Sequence, residues 1–198
     1  MHAIHFDSTL DDDSRRERLY NGDLFVYSPR ASTRALVEFA AGLAEEAFGS
    51  LSPETAQYEM PVEEYAALLA DLKPRFIHHP ESKRLIVDML LDLGCDPDKV
   101  YFDVPRMRTS TAKGYLTTGI AYAFHPHRDT WYSAPYCQLN WWLPIYQITA
   151  DNGLAFHPVL VHPRQEQFEG VQLRRVECHE PEDRREPDRY RHTGAAEG

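Results

Sequence analysis

YLTTGIAYAFHPHRDTWYSAPYCQLNWWLPIY, residues 115 to 146, is the stretch whose reading decides the fold. Tyr115 to Phe124 and Tyr136 to Ile148 are dense in Tyr, Trp, Ile and Thr, the residues that suit a pleated surface, and both read as strands. Between them lies AFHPHRDTWYSAP, residues 123 to 135, where His125, His127 and Asp129 stand two apart. Alternate side chains of a strand share one face, so these three would point together and Arg128 away from them. Two neutral imidazole nitrogens and a carboxylate, with coordination positions left open, make the ligand set of non-haem Fe(II) oxygenases.

Outward from this block, Val100 to Val104 and Leu154 to Phe156 read as further strands, separated by Pro, Asp and Asn-Gly turn signals. The first 95 residues are mainly helical. A short charged helix over Asp12 to Tyr20 closes at Asn21-Gly22, and Leu24 to Tyr27 form one early strand. Ser32 is placed to cap a helix with Leu36, Val37, Ala40, Leu43, Ala44 and Phe48 inward and Gly49 as its stop. Two more helices come after it: Glu63 to Leu72, stopped by Pro74, and Glu81 to Leu93, with Leu85, Ile86, Met89, Leu90 and Leu93 inward and Gly94 at its end. His78-His79 falls in the loop between them. Helices first and strands second predict an α+β fold with an antiparallel sheet, as a sandwich or barrel.

Composition bounds the function. The chain has 198 residues, 42% of them hydrophobic, enough for one or two domains with a core. A formal charge of -10 disfavours nucleic acid and anionic membranes as partners. No apolar run approaches a membrane span, and MHAIHFDSTLDDD is no signal peptide, so the expected location is cytoplasmic. Cys95, Cys137 and Cys178 are far apart and without a CxxC, which argues against a disulfide framework or a cysteine zinc site.

A His-x-Asp pair alone carries little weight, since chance gives about one in a chain of this composition. Its surroundings carry more. YFDVPRMRTS (101 to 110), the block 115 to 146 and DNGLAFHP (151 to 158) together resemble the phytanoyl-CoA dioxygenase-like branch of the Fe(II)/2-oxoglutarate-dependent oxygenases, over roughly residues 15 to 158. The resemblance implies a double-stranded β-helix (jelly roll) with the N-terminal helices packed on one face. It implies His127 and Asp129 as the first two iron ligands, with 2-oxoglutarate and O2 as co-substrates for hydroxylating a small molecule. Gln138, Asn140 and Trp141 lie where this family draws contacts to 2-oxoglutarate; packing is the alternative for Trp141 and Trp142. Arg106 and Arg108 are candidates for a guanidinium fork on a carboxylate, a solvated surface pair being the alternative. Trp131 and Tyr132 would support the ligands from behind or form a substrate wall, and His125 would orient His127 or cap a turn.

The family pattern also requires a distal His and, beyond it, an Arg for the far carboxylate of 2-oxoglutarate. A jelly roll crosses about five strands between its ligands, roughly 50 residues, so His157 and His162 come too early. His179 and His192 fall in residues 163 to 198, where sixteen of 36 residues are charged and no period is visible; this stretch reads as a tail outside a single domain over 1–162. Codons for Val171 through Arg189 can be chosen so that the frame starting at the second base of the Val171 codon spells SSYDEWNATNRKTAANQI, which resembles the family's sequence just beyond this strand. The expectation is a chain that leaves its frame after about residue 158, lacks its last strands and is impaired as an enzyme. Its open sheet edges predict a homodimer or edge-to-edge association. Two other readings remain: a non-catalytic or remnant binding scaffold of the same fold, and a zinc hydrolase built on His125, His127 and Asp129.

Overall fold

A computed structural model of the chain describes residues 3–116, 135 and 137–156. Strand β1 (Ile4–Phe6) is followed by helix α1 (Asp12–Tyr20), strand β2 (Leu24–Val26) and helix α2 (Ala31–Phe48). A single 3-10 turn (Ala56–Tyr58) leads to helices α3 (Val62–His78) and α4 (Pro80–Asp92). Among the described residues no helix is long and apolar enough to cross a membrane.

Local chemistry sets these boundaries. Asp11 is extended and its carboxylate accepts from the Ser14 N–H at 2.9 Å, while Asp12 and Asp13 oppose the positive end of the α1 dipole. The helix closes at Asn21, as the turn pair predicts. In α2 the cap is Arg30 rather than Ser32, because Thr33 Oγ1 takes up the Arg30 N–H at 2.8 Å. Ser32 instead donates its hydroxyl to the Asp92 carboxylate at the end of α4. Gly49 ends α2 at φ 63°, in the left-handed region that glycine enters without a Cβ clash.

α3 does not stop at Pro74. The ring removes one backbone donor, yet the helix runs on to His78 because its last turn is held from outside. Phe76 is buried in the core, and Arg75 Nη2 lies 2.7 Å from Glu46 Oε1 on α2. His79 then ends α3 and starts α4, its Nδ1 accepting from the Glu81 N–H at 3.1 Å and its ring lying against Phe39.

The core is the junction of three helices. Leu36, Ala40, Ala44 and Phe48 recur every four residues on α2; Tyr65, Leu69, Leu72 and Phe76 face them from α3; Leu85, Ile86, Met89 and Leu90 complete the layer from α4. All five inward positions expected between Leu85 and Leu93 are buried. Met107, Tyr115, Leu143 and Ile145 pack on this layer from the later part of the chain.

The sheet differs from expectation. β1 and β2 pair in parallel, with Ile4 opposite Leu24, His5 opposite Phe25 and Phe6 opposite Val26, so a second early strand is present that the sequence reading lacks. Residues 100–104, 137–148 and 154–156, read as strands, carry no ladder among the described residues. A strand's backbone groups need a neighbour to bond, and Tyr101, Val104, Leu154 and Phe156 are exposed here. Most of the run from Tyr115 to Phe124, and the boundary at residue 162, lie outside the described residues.

Candidate functional site

The ligand candidates His127 and Asp129 lie outside the described residues, as do His125, Trp131, Tyr132, His157, His162, His179 and His192. Among the described residues no three His, Cys, Asp or Glu side chains gather as a metal site. What the structure does place is the segment after the motif, with Gln138, Asn140 and Trp141.

Gln138 and Asn140 are brought together: Gln138 Nε2 donates to Asn140 Oδ1 at 2.8 Å, and both are exposed. Trp141 takes another direction. Its ring stacks on Tyr27 at 6.3 Å between centroids, and the Arg15 guanidinium stands 5.6 Å from its centre. Trp142 is exposed. Arg106 is exposed with an ion pair to Asp103 at 3.6 Å. Arg108 is exposed too, and its charge, after burial, is a second influence holding the Lys73 ammonium below the usual lysine range.

The group to which Trp141 is fastened is a buried polar knot that sequence reasoning missed. Arg15 is 1% exposed. Its Nη2 donates to Asp12 Oδ1 at 2.6 Å and lies 3.1 Å from Cys95 Sγ; its Nη1 donates to the Leu93 carbonyl and reaches Tyr27 Oη at 3.5 Å. Asp12 also accepts from Arg16 Nε at 2.9 Å and from the Asp96 N–H at 3.4 Å. Burial pushes the Asp12 carboxyl up, but the two arginine bonds outweigh it and hold it below the usual carboxylate range. Burial likewise pushes the Cys95 thiol up, so it stays protonated and acts as a small buried group. Read along the sequence, DDSRRERLY is a charged helix of the kind that faces water. Asp12 is a local partner, but nothing local shows that Arg15 turns inward, because Tyr27, Leu93, Cys95 and Trp141 are distant in sequence.

A row of rings runs from β1 across β2 to this knot: His5 on Phe25 at 4.6 Å, Phe25 on Tyr27 at 6.5 Å, then Trp141. His5 Nε2 meets Asp23 Oδ2 at 2.8 Å, and Asp23 Oδ1 accepts from the Ala3 N–H at 2.9 Å, which fastens the start of β1 beside β2. His78 and His79, expected in a loop between the helices, are placed otherwise: His78 is the last residue of α3, and His79 alone joins it to α4 as the cap of both.

No family model, no curated protein and no solved structure matches the chain.

Proposed function

We propose that the chain derives from the phytanoyl-CoA dioxygenase-like Fe(II)/2-oxoglutarate-dependent oxygenases and acts, as an oxidoreductase of the cytoplasm, on a small molecule. The observation that carries this reading is the His127-x-Asp129 pair set between two aromatic, β-branched runs. The N-terminal helical layer supports it in a lesser way, since a jelly roll with helices on one face needs such a layer.

The donor set fits iron in part. His127 and Asp129 offer one imidazole nitrogen and one carboxylate, and the third ligand is unassigned. Iron with 2-oxoglutarate and O2 would supply the oxidation of an aliphatic C–H bond, with succinate and CO2 as co-products. The protein's own share is positioning. Gln138 and Asn140, exposed and bonded to one another, offer amide donors to a carboxylate, and the exposed Arg106, 3.6 Å from Asp103, offers a guanidinium fork. Trp141 serves as an anchor through Arg15 and Tyr27.

With two protein ligands iron would be held weakly and turnover would be low. The second reading, a binding scaffold of the same fold without catalysis, is favoured by the lack of a distal His in any strand-like stretch. Both are tested by titrating the protein with Fe(II) without oxygen while following tryptophan emission, then adding 2-oxoglutarate and O2 and assaying succinate. The oxygenase reading expects saturable quenching, lost in His127→Ala and Asp129→Ala, and slow succinate release. Quenching with no succinate leaves the scaffold. Quenching unchanged in both variants, or zinc-dependent hydrolysis without 2-oxoglutarate, overturns both.

A further inference from the structure

We propose that α1 is a two-point clasp for residues 137–141, in which Arg15 is a positioning residue that fixes where the Gln138–Asn140 pair is presented. Both grips come from one helix. Tyr20 Oη donates to the Cys137 carbonyl at 3.0 Å, and the Arg15 guanidinium covers the Trp141 ring at 5.6 Å, so the segment is held near both ends. Between the grips, Gln138 Nε2 donates to Asn140 Oδ1 at 2.8 Å, so the two amides are held together on the segment. Trp141 is committed to Arg15 and Tyr27 instead and takes no part in that bond.

Arg15 is suited to this task because its guanidinium is buried and held by several partners. Its guanidinium is fixed by Asp12, by the Leu93 carbonyl at the end of α4 and by Tyr27, on a helix whose first turn is tied to Asp96. The ring of Trp141 therefore meets a charge already set by three other contacts. A planar cation stacks on an aromatic face where an ammonium would reach only as a point charge. The consequence for 2-oxoglutarate rests on the oxygenase reading; the clasp does not.

Hydrogen exchange on the full chain tests it. In Trp141→Leu combined with Tyr20→Phe, which spare the Arg15 bonds to Asp12 and Leu93, amides 138–142 should exchange about tenfold faster while α2, α3 and α4 keep their protection. Arg15→Lys should give the same local release with its charge retained. Unchanged exchange at 138–142 in the double variant overturns the clasp, and so does a loss of protection spread evenly over all helices. For the co-substrate, Tyr20→Phe and Arg15→Lys should each weaken 2-oxoglutarate binding about fivefold at unchanged Fe(II) affinity. A parent protein that binds no 2-oxoglutarate overturns the oxygenase reading, and the exchange data then judge the clasp alone.

Discussion

Arg15 and Trp141 meet across the fold with the guanidinium 5.6 Å from the ring centre, and Asp12 holds that same guanidinium at 2.6 Å. Asp12 is thus the counter-charge for a cation that is almost wholly out of water. Replacing Asp12→Asn keeps the shape and removes the charge, which leaves Arg15 buried without an anion. The expected loss is roughly 3–5 kcal/mol of unfolding free energy, read from a urea midpoint at constant slope. A loss below about 1 kcal/mol would mean that the pair behaves as a solvated surface bridge.

Leu72 is 2% exposed where α3 meets the other helices. Leu72→Ala should cost about 2–5 kcal/mol, the lost transfer energy plus the cavity it leaves. Leu91→Ala on the exposed side of α4 should cost under about 1 kcal/mol. Equal costs at the two sites would contradict the assignment of the core.

Asp23 sets an acid limit on the β1–β2 pair. The Ala3 N–H and then the His5 ring hold its carboxyl below the usual carboxylate range. A carboxylate with a depressed folded pKa contributes fully above its ordinary value and loses that contribution as pH falls through the lowered one. Protection of the β1 amides should therefore fall below about pH 4, and the fall should be smaller in Asp23→Asn. Asp7, lowered by its bonds to Ser28, adds a second fall in the same direction that Asp23→Asn leaves in place.

The two described cysteines should separate by reactivity. Cys137 is exposed, whereas Cys95 is buried against Arg15 with its thiol pushed up by burial. In a Cys178→Ser background, iodoacetamide should modify Cys137 in the folded protein and Cys95 only on unfolding. Peptide mass mapping with both sites labelled at one rate would refute the buried position of Cys95.

The helical half was legible because its signals are local. Asn21-Gly22, Gly49 and the spacing of Leu85, Ile86, Met89 and Leu90 each state a boundary or a face within a few residues. β1 was not legible. Its three residues Ile-His-Phe alternate exposed and half-buried with both apolar side chains outward, the reverse of the usual strand pattern. The continuation of α3 past Pro74 depends on Glu46 of another helix, and the inward turn of Arg15 depends on Leu93, Cys95 and Trp141. A tertiary contact overrode a correct local rule in the first case; in the second no local rule applied. Of the candidate site, the sequence pointed to the Gln138 and Asn140 neighbourhood but could not tell that Trp141 faces elsewhere.

The junction at His79 carries one more consequence. One residue, extended at φ -68° and ψ 130°, is both the C-cap of one helix and the N-cap of the next. Where helices are joined by a long loop, an added or deleted residue is absorbed by slack. Here there is none, and a single insertion would swing α4 about a third of a turn and lift its apolar stripe off the other two helices. Length changes in descendants of this gene should therefore be tolerated between Gly49 and Pro61 and purged at His79, making that joint a fixed ruler against which distant copies of the chain can be aligned.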